Sequence, residues 1–192
     1  MNQSLVVRGS LSDTGKHDIA DAIAGAEAVV VADVSGSTVE FSADPNKSRH
    51  EVIQESLIDI QGRYPGKVAV IAFSDTPTFC PSGRLEKPTG GTNLAGALKF
   101  VGIAALAGLK IVVISDGLAN AEKPCFDIVR NWTHGSLDTI YVGPETGLDS
   151  KGREFLAQLA RAVGGHSSDI RLTTEKLTST IILSLTGGNN GV

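Results

Sequence analysis

Sulfur and aromatic rings are scarce in this chain. Its 192 residues include two cysteines, one methionine, one tryptophan, two tyrosines and six phenylalanines. Cys80 and Cys125 stand far apart and in no metal-type spacing, so they read as buried free thiols rather than a disulfide or a zinc site. So few aromatics leave no stacking platform for single-stranded nucleic acid. Basic charge is also in deficit: the net charge is −4 and no Lys/Arg run occurs, which argues against nucleic acid as a partner. No apolar run reaches transmembrane length, and the opening MNQSLVVRGSLSDTGKHD lacks the apolar core of a signal peptide. The expectation is a protein that stays off the membrane, in the cytoplasm. There is no P-loop and no G-x-G-x-x-G after a strand, so nucleotide use has no support. Internal repeats and low-complexity segments are missing as well.

What remains is a chain of 41% hydrophobic residues, enough for one core of generous size. Short β-branched runs alternate with amphipathic helical stretches. The strand runs are Ala28 to Asp33, Lys67 to Phe73, Leu109 to Ile114 and Asp138 to Val142. They are apolar on both faces, as in the middle of a parallel sheet. Thr76 to Cys80 reads as an antiparallel edge strand, because Pro77 and Pro81 are tolerated only at an edge. Helices are expected over about 49–62, from 94 to about 105, near 123–133, from 150 to 163 and over 174–185, with a short strand around Asp169 to Leu172. Ser48 is placed to cap the first of these. The pattern is α/β: a doubly wound, mostly parallel sheet with helices on both faces and one antiparallel edge strand, a three-layer α/β/α, Rossmann-like sandwich. Residues 1–26 read as an N-terminal arm, 27–186 as the domain and 187–192 as a frayed tail.

In such a sheet the parallel strands end on one rim, and ligands bind there where strand order reverses. The first strand runs into Asp33-Val34-Ser35-Gly36-Ser37, with a carboxylate and two hydroxyls at alternate positions. Asp116 follows a later strand in Ser115-Asp116-Gly117, and Thr92 sits in the glycine-flexed loop Gly90-Gly91-Thr92 before a helix. Each residue alone has an ordinary explanation as a cap or turn, and Thr92 or Asn93 would serve equally as the cap of the helix from 94. All five meeting on one rim is better explained by a hard divalent cation, which prefers oxygen ligands. Asp75 ends another strand without nearby partners and reads as structural. His17, His50, His134 and His166 fit no ligand spacing, and Arg84 and Lys87 read as solvated.

The set Asp33-x-Ser35-x-Ser37, Thr92 in Gly-Gly-Thr and Asp116 in Ser-Asp-Gly resembles the metal-ion-dependent adhesion site of von Willebrand factor A domains. The likeness runs from about residue 26 to 186. Thr38 departs from it, standing where many members carry methionine or another apolar residue. The resemblance implies that Ser35, Ser37 and Thr92 ligate a magnesium or manganese ion through their hydroxyls, with Asp33 and Asp116 acting largely through ordered waters. It further implies a non-enzymatic, cation-dependent protein-binding module whose ion accepts a Glu or Asp from a partner protein. The alternative is a magnesium-dependent hydrolase, such as a phosphatase with an aspartate nucleophile. That chemistry wants a second carboxylate two places after Asp33, and Ser35 stands there. Oligomeric state is not legible.

Overall fold

The computed structural model describes residues 22–40, 42–144 and 150–186. Of the expected N-terminal arm only 22–26 falls within these, with a helical turn at 22–25 and Ile23 buried. The rest of the arm, His17 and the tail at 187–192 lie outside the described residues.

Six strands form one sheet: β1 (Ala28–Asp33), β2 (Val68–Phe73), β3 (Pro77–Phe79), β4 (Lys110–Ser115), β5 (Ser136–Tyr141) and β6 (Ser167–Asp169), in the order β3-β2-β1-β4-β5-β6. Only the β2–β3 pair is antiparallel. Pro77 opens β3 at that edge, where its missing N–H costs no ladder bond. Six helices follow in chain order: α1 (Arg49–Arg63), α2 (Leu94–Phe100), α3 (Gly102–Leu106), α4 (Glu122–Val129), α5 (Ser150–Arg161) and α6 (Thr174–Leu185). Strand order reverses at β1, whose neighbours are β2 on one side and β4 on the other.

The central strands alternate their side chains between two apolar cores. Val29, Val31, Ile71, Ile111 and Val113 face one core, with Leu94, Leu98, Val129 and Leu156 from the helices. Val30, Ala32, Val70, Val112 and Ile114 face the other, with Ile53, Leu57, Leu177 and Ile181. Both faces being covered is why these strands read as unbroken apolar runs. Each fully buried aliphatic side chain contributes roughly 1.5–3 kcal/mol of transfer free energy. Cys80 and Cys125 are buried free thiols, and burial pushes Cys125 up to about 12. No helix among the described residues is long and apolar enough to cross a membrane.

Two expectations shift. The helix expected from 94 to 105 is two helices, broken at Val101, whose ψ of 2° leaves the helical region; Gly102 follows and lowers the cost of the break. The last strand lies at Ser167–Asp169, earlier than the apolar Ile170 and Leu172 suggested. It borders the sheet and pairs only with β5, so its backbone rather than its hydrophobicity defines it. Ser48 caps α1 as expected, in a capping box: its hydroxyl accepts from Glu51 N–H while the Glu51 carboxylate accepts from Ser48 N–H.

Candidate metal centre

β1 ends at Asp33 and β4 at Ser115, side by side at the reversal of strand order, so the turns that follow them share one rim. After β1 the chain enters a 3-10 turn, Gly36–Val39, tightened by Thr38: its N–H and its hydroxyl both donate to the Ser35 carbonyl, at 3.0 and 2.8 Å. Thr38 is buried, so the hydroxyl at this position holds the turn from within instead of packing apolar surface beneath it.

Asp33 is 0% exposed and Asp116 1%. The Asp33 carboxylate accepts from Ser35 N–H at 2.9 Å and from the Ser115 hydroxyl at 2.7 Å. Asp116 accepts from the Ser37 hydroxyl at 2.6 Å and from Leu118 N–H at 3.0 Å. Ser35 Oγ and Ser37 Oγ stand 3.1 Å apart. No Lys, Arg or His forms an ion pair with either carboxylate among the described residues. Burial pushes the Asp33 carboxyl from its ordinary 3.8 up to about 6, and the neighbouring Asp116 charge adds to the rise; the Ser35 and Ser115 donors oppose it.

Thr92 reaches the same rim through its loop. Gly36 N–H donates to the Gly90 carbonyl at 3.2 Å and Thr89 N–H to the Val34 carbonyl at 3.0 Å, so the loop lies against the turn after β1. The Thr92 backbone is clamped by Asn120, whose side-chain oxygen accepts from Thr92 N–H at 3.2 Å and whose N–H donates to the Thr92 carbonyl at 3.0 Å. The Thr92 side chain is buried, and its hydroxyl makes no hydrogen bond among the described residues. The cap of α2 is Asn93, which accepts from Gly96 N–H at 2.9 Å, so capping does not account for Thr92.

Three participants carried no role in the sequence reading. Ser115 is visible beside Asp116, but its contact with Asp33 spans 82 positions and needs the parallel register to bring it close. Asp75 is not isolated: its carboxylate accepts from Gly91 N–H at 3.0 Å and its carbonyl from the Asn93 side chain at 3.0 Å. Gly90, at φ +73°, permits that approach, since a Cβ there would lie 2.2 Å from Asp75 Oδ2. Asn120 had no signal in local spacing. His50 is half-buried, and its Nδ1 has no hydrogen-bond partner among the described residues.

The donor set fits a hard cation. Two ligands at adjacent corners of an octahedron with metal–oxygen distances near 2.1 Å stand roughly 3 Å apart, and the two serine hydroxyls have that separation. Among the described residues no three His, Cys, Asp or Glu gather, so an ion here would depend on hydroxyls, donors that suit a hard cation better than zinc or copper.

No protein-family model and no curated protein matches the chain. Solved structures do. An aerotolerance-related membrane protein from Bacteroides fragilis superposes with a TM-score of 0.59 at 15% identity, over 85% of this chain and 100% of that one. The SpRpn10 VWA domain gives 0.58 at 14%, over 80% and 92%. The manganese-loaded TRAP protein of Plasmodium vivax gives 0.56 at 12%, over 84% and 74%. The chain has the von Willebrand factor A fold. Within that fold, β1 and β4 flank the point where Asp33, Ser35, Ser37 and Asp116 are joined by hydrogen bonds, and Asp75 and Asn120 hold the neighbouring loop that carries Thr92.

Proposed function

We propose that Asp33, Ser35, Ser37, Thr92 and Asp116 hold a magnesium or manganese ion, and that the chain is a cation-dependent protein-interaction module rather than an enzyme. The observation that carries this reading is the pair of buried carboxylates with no basic partner among the described residues. Uncompensated buried charge is costly, and a divalent ion would neutralise it. The von Willebrand factor A fold and the manganese-loaded neighbour support the reading. Ser35, Ser37 and Thr92 would ligate through neutral hydroxyls, with Asp33 and Asp116 supplying the negative field. An ion so held stays electrophilic toward one further carboxylate, and a Glu or Asp of a partner protein would supply it.

The direct test is thermal unfolding with and without magnesium or manganese. Ligand at about 100 times its Kd stabilises the native state by about 2.7 kcal/mol. For a domain of this size that raises Tm by roughly 5–10 °C. Asp116→Ala and Ser35→Ala should abolish the increase, and chelator should reverse it in the native protein. Equal melting in magnesium, manganese and chelator would rule the ion out.

A further inference from the structure

Among the described residues, Thr92 is the candidate ligand that no hydrogen bond ties directly to the other four. Its place is set from two sides. Upstream, Thr89 and Gly90 are bonded to Val34 and Gly36, in the turn after β1. Downstream, Asn120 holds Thr92 itself: its side-chain oxygen accepts from Thr92 N–H at 3.2 Å and its own N–H donates to the Thr92 carbonyl at 3.0 Å. Asn120 lies between β4 and α4, on the same segment as Asp116. The first part of that segment is braced, because Gly117 N–H donates to the Ser115 hydroxyl at 3.0 Å and Leu118 N–H to the Asp116 carboxylate at 3.0 Å. A single braced piece of chain thus carries a carboxylate near one end and clamps the Thr92 backbone at the other. Gly91 makes room for the clamp: a Cβ there would lie 3.1 Å from the Asn120 side-chain nitrogen and 3.0 Å from Asp75 Oδ1. Asn120 is exposed, belongs to neither core and is not the cap of α4, which is Ala121. Neither packing nor capping accounts for it.

From this geometry we infer that Asn120 is a positioning residue that sets the width of the metal centre, and through it a preference for magnesium over calcium. The inference rests on the proposed cation reading. Magnesium demands near-ideal octahedral geometry with bonds of about 2.0–2.1 Å, whereas calcium takes bonds of about 2.3–2.6 Å in looser arrangements, so the size and stiffness of the site decide between them. The 3.1 Å between the two serine oxygens fits adjacent corners around the smaller ion. The Thr92 hydroxyl belongs to a different loop, and its distance from that pair is free to widen unless its backbone is pinned. Asn120 pins it to the segment of Asp116, whose carboxylate accepts from the Ser37 hydroxyl at 2.6 Å. Without the side-chain bond, the remaining backbone bond is a pivot on which the loop can swing outward. A wider, softer set of oxygens costs magnesium its geometry and suits calcium better.

The test is calorimetric titration of the full chain with magnesium chloride and with calcium chloride, for the native protein, Asn120→Ala and Asn120→Asp. The native protein should prefer magnesium. Asn120→Ala should weaken magnesium by about tenfold or more, the usual effect of losing an outer partner of a metal ligand. Calcium should weaken less, so the preference shrinks. Asn120→Asp keeps an oxygen to accept from Thr92 N–H, and its added charge draws both ions alike, so the preference should return. A purely structural role for Asn120 would lower Tm in chelator and leave the ratio of the two dissociation constants as it was. A native preference for calcium, a ratio unchanged in Asn120→Ala, or a ratio not restored in Asn120→Asp would each overturn the inference. Failure of the cation reading has a different signature. Neither ion would then bind the native protein at millimolar concentration, and reading and inference would fall together.

Discussion

Asp33 is the residue on which site and stability meet. It is fully buried, hydrogen-bonded and unpaired by any basic group among the described residues. Its carboxyl, pushed up to about 6 in the folded state against an ordinary 3.8, is favoured protonated there. Below 3.8 it is neutral both folded and unfolded and carries no penalty. As pH rises from 3.8 to about 6 the unfolded chain ionises first, so Asp33's own contribution to the stability of the cation-free protein falls across that window and stays lost above it. The loss is on the order of 2–3 kcal/mol. Asp33→Asn should remove it: the amide oxygen keeps the Ser35 N–H bond, and the Ser115 hydroxyl can turn to accept from the amide. In chelator at neutral pH the variant should melt higher than the native protein, and magnesium should not move it. Chemical denaturation across the window, in chelator, checks both statements. A stability difference between the native protein and Asp33→Asn that does not change between 3.8 and 6 would contradict the account of Asp33.

Among the elements, the turn after β4 is tightly constrained. Gly117 has φ +75°, and a Cβ there would sit 2.2 Å from the Gly152 carbonyl oxygen in the first turn of α5. Gly152 in turn approaches the Asp116 carbonyl, where a Cβ would lie 2.3 Å away. The two glycines let a helix start pack directly on the turn that aims Asp116, and the Ser115 hydroxyl accepts from Gly117 N–H at 3.0 Å to hold its shape. Gly117→Ala meets both left-handed backbone strain and a backbone clash, so it should cost about 3 kcal/mol or more. Because relief requires moving α5 or the turn, the magnesium response should weaken along with Tm. Thermal melts in magnesium and chelator report both. Gly164→Ala is the control: φ is +72° there but a Cβ meets nothing within 4 Å, so only the smaller backbone term applies and the magnesium response should remain.

At the scale of the molecule, the two cores and the rim are separable. Ile111 is the second residue of β4, far from the rim and fully buried in the core opposite α1 and α6. Ile111→Ala should cost about 2–5 kcal/mol and lower Tm by roughly 4–20 °C at the sensitivity of a domain this size. The carboxylates and hydroxyls leave the same strands further on, at the rim, so the increment in Tm from magnesium should match that of the native protein. An increment that shrank in proportion to the lost stability would mean that core packing and site geometry are coupled.

How much of this was legible beforehand follows from the range of the forces involved. Periodicity and turn chemistry act over a few residues, so the apolar runs of β1, β2 and β4, the cap at Ser48 and the span of α6 could be read from the chain alone. The five candidate residues were legible for the same reason: each follows a strand or precedes a helix, and parallel strands must share a rim. Tertiary structure alone decided what lies between them. The Ser115–Asp33 contact and the hold of Asp75 and Asn120 on the Thr92 loop each bring together groups from separate segments. Sheet register and loop packing set those distances, and both are sums over the whole core rather than properties of any local stretch. The same holds for the charge on Asp33: its identity is written in the chain, but its burial, and therefore the cost of its charge, exists only once the sheet has closed around it.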